Sequence, residues 1–189
     1  MPVAANDSSE SDVRRSLTRS GIRELMRELA HSAPRRGSYR VYFVGGSTAV
    51  LAGWRESTID ADLYSDHEDI FHDVQGIKER LQLNIEFARP EDFVPPLAGN
   101  ERRHVLIETI GKVSFYHYDP YTQLLSKVVR GFNRDVLDAE RFLASGMVNG
   151  ERFRALVDDI PDSAYARYPA LSRQAVVEAV KEFLSRVKD

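Results

Sequence analysis

The sequence predicts an α+β fold, a mixed sheet flanked by helices and followed by a helical C-terminal part. Three observations predict it. Up to residue 118, short β-branched and aromatic runs alternate with stretches whose apolar residues recur every three to four positions. Glycine- and proline-containing breaks separate these stretches. Beyond residue 119 the periodicity is helical.

In chain order, residues 1–12, rich in Ser, Asp and Ala, are expected to be disordered. An amphipathic helix is expected over 13–30, with Val13, Leu17, Ile22, Leu25, Met26 and Leu29 inward, ended by the break at 34–37. Residues 40–44 read as a strand, Gly45-Gly46-Ser47 as a tight turn and 48–54 as a helix. A second strand is expected at 59–64, a helix at 68–81 and a third strand at 83–87. In that strand Leu83, Ile85 and Phe87 share one face, and Asn84 and Glu86 take the other. Residues 104–110 and 112–118 pair as a hairpin around Gly111. Asp119-Pro120 starts a helix with an acid at the cap and proline in the first turn, running to 130 before Gly131 interrupts it. Asn133 can cap a helix ending near Gly146, Asn149 opens another reaching 160, and Ser172 opens a last one with Val176, Val177, Val180, Phe183, Leu184 and Val187 inward. The expected organisation is a tail at 1–12, a core at 13–146 and a helical extension at 147–189 packed on it, with loops rather than linkers at 95–96 and 161–169.

Composition narrows the chemistry. The chain has 189 residues, enough for one substantial core, and no cysteine, which removes disulfides, thiolate metal sites and cysteine nucleophiles together. Any metal is therefore expected on oxygen ligands. No apolar run reaches the ~18 residues a membrane span needs, so no membrane partner is expected and the chain is placed in the cytoplasm. A net charge of -3 argues against a protein that coats nucleic acid indiscriminately. Charge is uneven, however: residues 1–40 hold eight arginines against five acids, and Arg15, Arg19, Arg23 and Arg27 recur at the spacing of one helix ridge. Like charges at i, i+4 weaken a helix slightly, so the ridge is either a phosphate-contacting surface or a solvated face partly neutralised by Glu24 and Glu28.

Gly45-Gly46-Ser47 follows a strand and precedes a helix, so its backbone could approach a phosphate closely while amides and the Ser47 hydroxyl donate to it. An ordinary turn would look the same. The second motif adds weight: Asp60-Ala61-Asp62 lies on a predicted strand, whose period of two puts both carboxylates on one face. Such a pair suits hard cations, because magnesium takes a few carboxylate oxygens plus substrate phosphates. Among 29 acids an acid-x-acid pattern also arises by chance, but Ile59 and Leu63 place this one on a packed strand.

Together, Val44-Gly45-Gly46-Ser47 and Ser57-Thr58-Ile59-Asp60-Ala61-Asp62-Leu63 resemble the signature of the DNA polymerase beta nucleotidyltransferase superfamily, with a slightly longer intervening loop than in its most compact members. The resemblance implies a polymerase beta-like nucleotidyltransferase core, a serine (Ser47) on the triphosphate, two acids (Asp60, Asp62) on two Mg2+ ions, with Mn2+ as a substitute, and a third acid on a later strand. Glu86 is the candidate for that third acid and Glu108 the alternative. The segment 115–130, with Lys127 and Arg130, and then Arg134, Asp135 and Asp138, resembles the minimal nucleotidyltransferase toxins of abortive-infection and toxin-antitoxin systems, the MenT and AbiEii groups, over 41–146. That branch implies a lysine (Lys127) on the triphosphate and an essential downstream acid, either Asp135 or Asp138, with Arg134 beside them. It further implies a tRNA 3′ end as acceptor, blocked aminoacylation and translation, and a separate antitoxin protein. Two cations at i, i+3 on one helix, Lys127 and Arg130, would stabilise charge on a departing pyrophosphate. The same residues could instead form a local salt-bridge cluster, with Arg134 and Asp138 pairing at i, i+4. The arginine ridge, with Arg102 and Arg103, is the candidate RNA contact. The rival expectations are transfer to a protein or small-molecule hydroxyl, and a silent nucleotide- or RNA-binding module.

Overall fold

The computed structural model describes residues 16–187. Its elements run β1 (Leu17–Thr18), α1 (Arg19–Ser32), β2 (Tyr39–Phe43), α2 (Gly45–Leu51), β3 (Ser57–Thr58), β4 (Asp60–Tyr64), α3 (Val74–Leu81), β5 (Asn84–Phe87), β6 (Val105–Ile110), β7 (Val113–His117), α4 (Pro120–Arg130), α5 (Asn133–Ala144), α6 (Gly150–Asp158) and α7 (Arg173–Arg186). The expectation of a disordered 1–12, and the positions of Val13 and Arg15, lie outside the described residues.

The helix expected from residue 13 starts only at Arg19. Thr18 caps it by accepting from the Gly21 amide, and Leu17 is recruited instead into a strand pair opposite Thr58. Ile22, Leu25, Met26 and Leu29 are fully buried, and each such side chain contributes about 1.5–3 kcal/mol, which outweighs the repulsion along the arginine ridge. The helix expected at 68–81 is split into a single 3-10 turn, Glu68–Phe71, and α3, because the chain breaks before Asp73, whose carboxylate bonds Arg80 at 2.9 Å. The turn expected at Gly45-Gly46-Ser47 is already the first turn of α2. The later helices begin at the predicted caps: Asp119, Asn149 and Ser172 each accept from backbone amides in the following turn. Phe132, not Asn133, holds the cap position of α5.

Five strands form one mixed sheet in the order β5-β4-β2-β7-β6, parallel at β4–β5 and β2–β7 and antiparallel at β2–β4 and β6–β7. Its apolar face carries Val41, Phe43, Ala61, Leu63, Ile85 and Phe115 into one cluster with α1 and α3. Phe87, expected to share that face, is 56% exposed at the end of an edge strand. A second apolar cluster joins α4, α5, α6 and α7 and draws in Trp54, whose ring meets Phe142 edge-on at 4.8 Å. The molecule is thus an α+β fold with a helical C-terminal part. Among the described residues no helix is long and apolar enough to cross a membrane.

Candidate functional site

The polar face of the sheet meets the helical cluster at a cleft. On β4 the alternation is clean: Ala61 and Leu63 are fully buried on the apolar face, and Asp60 and Asp62 are half-buried on the other. Parallel pairing sets Asp60 opposite Asn84 and Asp62 opposite Glu86. The Asn84 amide donates to Asp60 Oδ1 and, at 3.3 Å, to Glu86 Oε1, so a neutral group sits between two carboxylates. Burial, then the charges of Glu86 and Asp60, push the Asp62 carboxyl up to about 6 against the opposing pull of the Gly46 amide and Lys127. Among the described residues no group of three or more His, Cys, Asp or Glu side chains already stands as a metal cage. Glu108 lies on the far edge strand β6, three strands from β4, where its partner is Arg23 at 3.7 Å.

The glycines crowd these acids. Gly45 has φ +55°, a left-handed conformation, and a Cβ there would stand 2.6 Å from Asp62 Oδ2. A Cβ on Gly46 would overlap the Thr58 hydroxyl. The Gly45 amide is held by the Gln123 side chain at 3.0 Å, which ties α2 to α4. Ser47, one residue further, is fully buried and its hydroxyl has no hydrogen-bond partner; it lies behind the glycines rather than on the cleft surface.

The opposite wall is cationic. Lys127, 5% exposed, donates to Asp138 Oδ2 at 2.6 Å and to Asp135 Oδ1 at 3.3 Å. Asp135 also accepts a two-pronged contact from Arg130 at 2.9 and 3.0 Å. Asp138 takes the same kind of contact from Arg55 at 2.9 and 2.6 Å. The chain Arg55–Asp138–Lys127–Asp135–Arg130 therefore alternates in sign with one cation to spare. The surface pair anticipated between Arg134 and Asp138 is replaced by this buried network, and Arg134 contributes its carbonyl oxygen to Arg55 at 3.3 Å.

Between the two walls lies a cleft of about 510 Å³ that reaches Gly45, Gly46, Asp62, Glu86, Lys127 and Arg130. Asp60 faces a neighbouring cavity of about 820 Å³, which shares Arg55, Thr58 and Arg134 with the first. The residues present fit a magnesium ion: mutually repelling oxygen ligands beside a glycine cradle leave room for substrate phosphates to complete the shell, which is how Mg2+ is usually held.

The candidate RNA contacts fall elsewhere. α1 covers the apolar face of the sheet, so its arginines border neither cavity; Arg19 donates to the Leu51 carbonyl at 2.7 Å and Arg27 is exposed. Arg103 is 10% exposed and locked on the buried Asp119 at 2.7 Å, a correction to its reading as a free surface cation. Arg102 stays exposed beside Glu101. Of the histidines, His117 is buried beside the Thr48 hydroxyl and its pKa is lowered to about 4 by desolvation, while His104 packs against Tyr42 and Tyr118. Sequence reasoning missed Arg55 and Gln123. The only signal for Arg55 is its place in the loop between the glycine turn and the acid strand; Gln123 shows none.

These features meet a family-level finding. The chain belongs to a family described as nucleotidyltransferase of unknown function (DUF6036), whose model matches residues 20–188. No curated protein and no solved structure matches it.

Proposed function

We propose that the protein is a magnesium-dependent nucleotidyltransferase that moves a nucleoside monophosphate from a nucleoside triphosphate to an acceptor hydroxyl and releases pyrophosphate. The observation that carries this reading is the cleft with carboxylates on one wall and cations on the other, floored by two glycines at which a Cβ would crowd Asp62 and Thr58. Asp60 and Asp62 would hold magnesium with Glu86, and Asn84 would keep Asp60 and Glu86 apart. Bound magnesium lowers the pKa of an acceptor hydroxyl and neutralises charge on the phosphates. Lys127, Arg130 and Arg55 face the polyphosphate and stabilise the charge that grows on the departing pyrophosphate. Ser47, whose buried hydroxyl has no partner, would donate to a phosphate oxygen. No histidine is needed as a base.

For the acceptor, the reading follows the likeness of 41–146 to minimal nucleotidyltransferase toxins: a tRNA 3′ end, whose extension would block aminoacylation and translation, in a cytoplasmic protein held in check by a separate antitoxin. Transfer to a protein or small-molecule hydroxyl is the second reading, and one observation favours it. The cavity beside Asp60 balances Arg134 and Arg141 with Glu56 and Glu140 and exposes Ile59 and Leu137, rather than presenting a run of cations. The test is incubation with total RNA, Mg2+ and each labelled nucleoside triphosphate, with Asp60→Ala as control. Label in the tRNA band that the control lacks supports the RNA reading; label on protein or small molecules selects the second; no transfer to any acceptor overturns both.

A further inference from the structure

We propose that the nucleobase of the donor triphosphate stacks on an aromatic platform formed by Phe93 and Phe132 at the mouth of the cleft, an inference that rests on the nucleotidyltransferase reading. Both rings line the same cleft as Gly45 and Lys127, and both are exposed, Phe93 by 48% and Phe132 by 67%. Exposed phenyl rings at a polar cleft are unusual, because each forgoes burial that a core position would supply.

Neither capping preference nor core packing accounts for either. Phe132 holds the cap position of α5, where Ser, Thr, Asp or Asn would satisfy a free amide, and it makes no side-chain cap bond. The joint between α4 and α5 is only Gly131, at φ 66°, and Phe132, so the turn is short and the ring is held out from it. Phe93 stands next to Val94, which is fully buried, and close to Leu97, which is 1% exposed, so this segment has access to the core and still leaves Phe93 outside. Two departures from local preference at one cleft mouth are what a binding site produces.

Arg130 makes the two rings one surface. Its guanidinium carbon lies 5.8 Å from the centre of the Phe93 ring and 5.9 Å from that of Phe132, while Asp135 pins the same guanidinium from behind. Phenyl and guanidinium planes stack on any base, and a phenyl ring offers no hydrogen bond to a base edge. The platform therefore accepts all four bases and ranks them by stacking area, purines ahead of pyrimidines.

The experiment is calorimetric titration of the wild type, Phe93→Ala, Phe132→Ala and Phe132→Trp with Mg2+-ATP, Mg2+-UTP and Mg2+-tripolyphosphate. The wild type should bind ATP more tightly than UTP and UTP more tightly than tripolyphosphate. Each alanine variant should lose roughly 10-fold on ATP with tripolyphosphate unchanged, and Phe132→Trp should retain ATP. Alanine variants that keep the full preference for ATP over tripolyphosphate overturn the platform, as do equal losses on both ligands. A wild type that binds neither ATP nor tripolyphosphate overturns the nucleotidyltransferase reading itself.

Discussion

Ser47 carries an unusual load for one residue. Its hydroxyl is buried with no partner, which costs roughly 1–3 kcal/mol relative to a hydrogen-bonded hydroxyl. If the hydroxyl is kept for a phosphate oxygen, Ser47→Ala should raise the stability of the free protein by about 1 kcal/mol and weaken its hold on Mg2+-tripolyphosphate. A denaturant midpoint and a binding titration on the same variant check both signs. A variant no more stable and equally tight would leave the hydroxyl without a role. Ser47, Asp60 and Asp62 were legible as candidates because a strand-turn-helix and a two-residue period are local patterns. Arg55 was not, because nothing near it in sequence shows that its partner is Asp138, 83 residues away. The burial of Asp135 and Asp138 was equally hidden, since acids at i, i+3 on a helix usually face water.

At the scale of elements, the ion network locks α4 to α5 and both to the loop after α2. Asp138 is 3% exposed in its side chain, and removing one member of such a buried pair costs about 3–5 kcal/mol because it strands the other charges. Replacing the pair by apolar residues of similar size is often close to neutral. Asp138→Ala should therefore melt well below the wild type, whereas Lys127→Met with Asp138→Leu should recover most of that loss, Arg55 being exposed enough to turn to water. The double variant should still fail to bind Mg2+-tripolyphosphate. If it binds as the wild type does, Lys127 is structural and the cationic wall is not a phosphate site. Element boundaries were readable where a cap carried them, at Asp119, Asn149 and Ser172. They were not readable at β1, whose two residues exist as a strand only because Thr58 and Ser57 lie across from them.

Across the whole molecule, two titratable groups of the same sheet set opposite demands on pH. His117, 7% exposed on β7, has its pKa lowered to about 4 by burial. The unfolded chain then binds more protons than the folded one between about pH 4 and 6.5, so His117 makes stability rise with pH across that window. Asp62, raised to about 6 by burial and by Glu86 and Asp60, does the reverse. Between about pH 4 and 6 the folded chain holds the extra proton, and stability falls as pH rises. Each effect reaches about 3 kcal/mol at most, so in the metal-free protein they nearly cancel over the shared window. Asp62→Asn should remove the falling component and leave a profile that climbs with pH; His117→Asn should remove the rising one and leave a profile that declines. Of these two groups, added Mg2+-triphosphate should act on Asp62 and not on His117, because a ligating carboxylate must be ionised. Its stabilising shift should therefore be larger at pH 7.5 than at pH 5 in the wild type and in His117→Asn, and should depend less on pH in Asp62→Asn. Melting curves of the three proteins at both pH values, with and without the ligand, decide the point. A ligand shift that varies with pH just as strongly in Asp62→Asn would remove Asp62 from the metal site and leave its raised pKa as a property of burial alone.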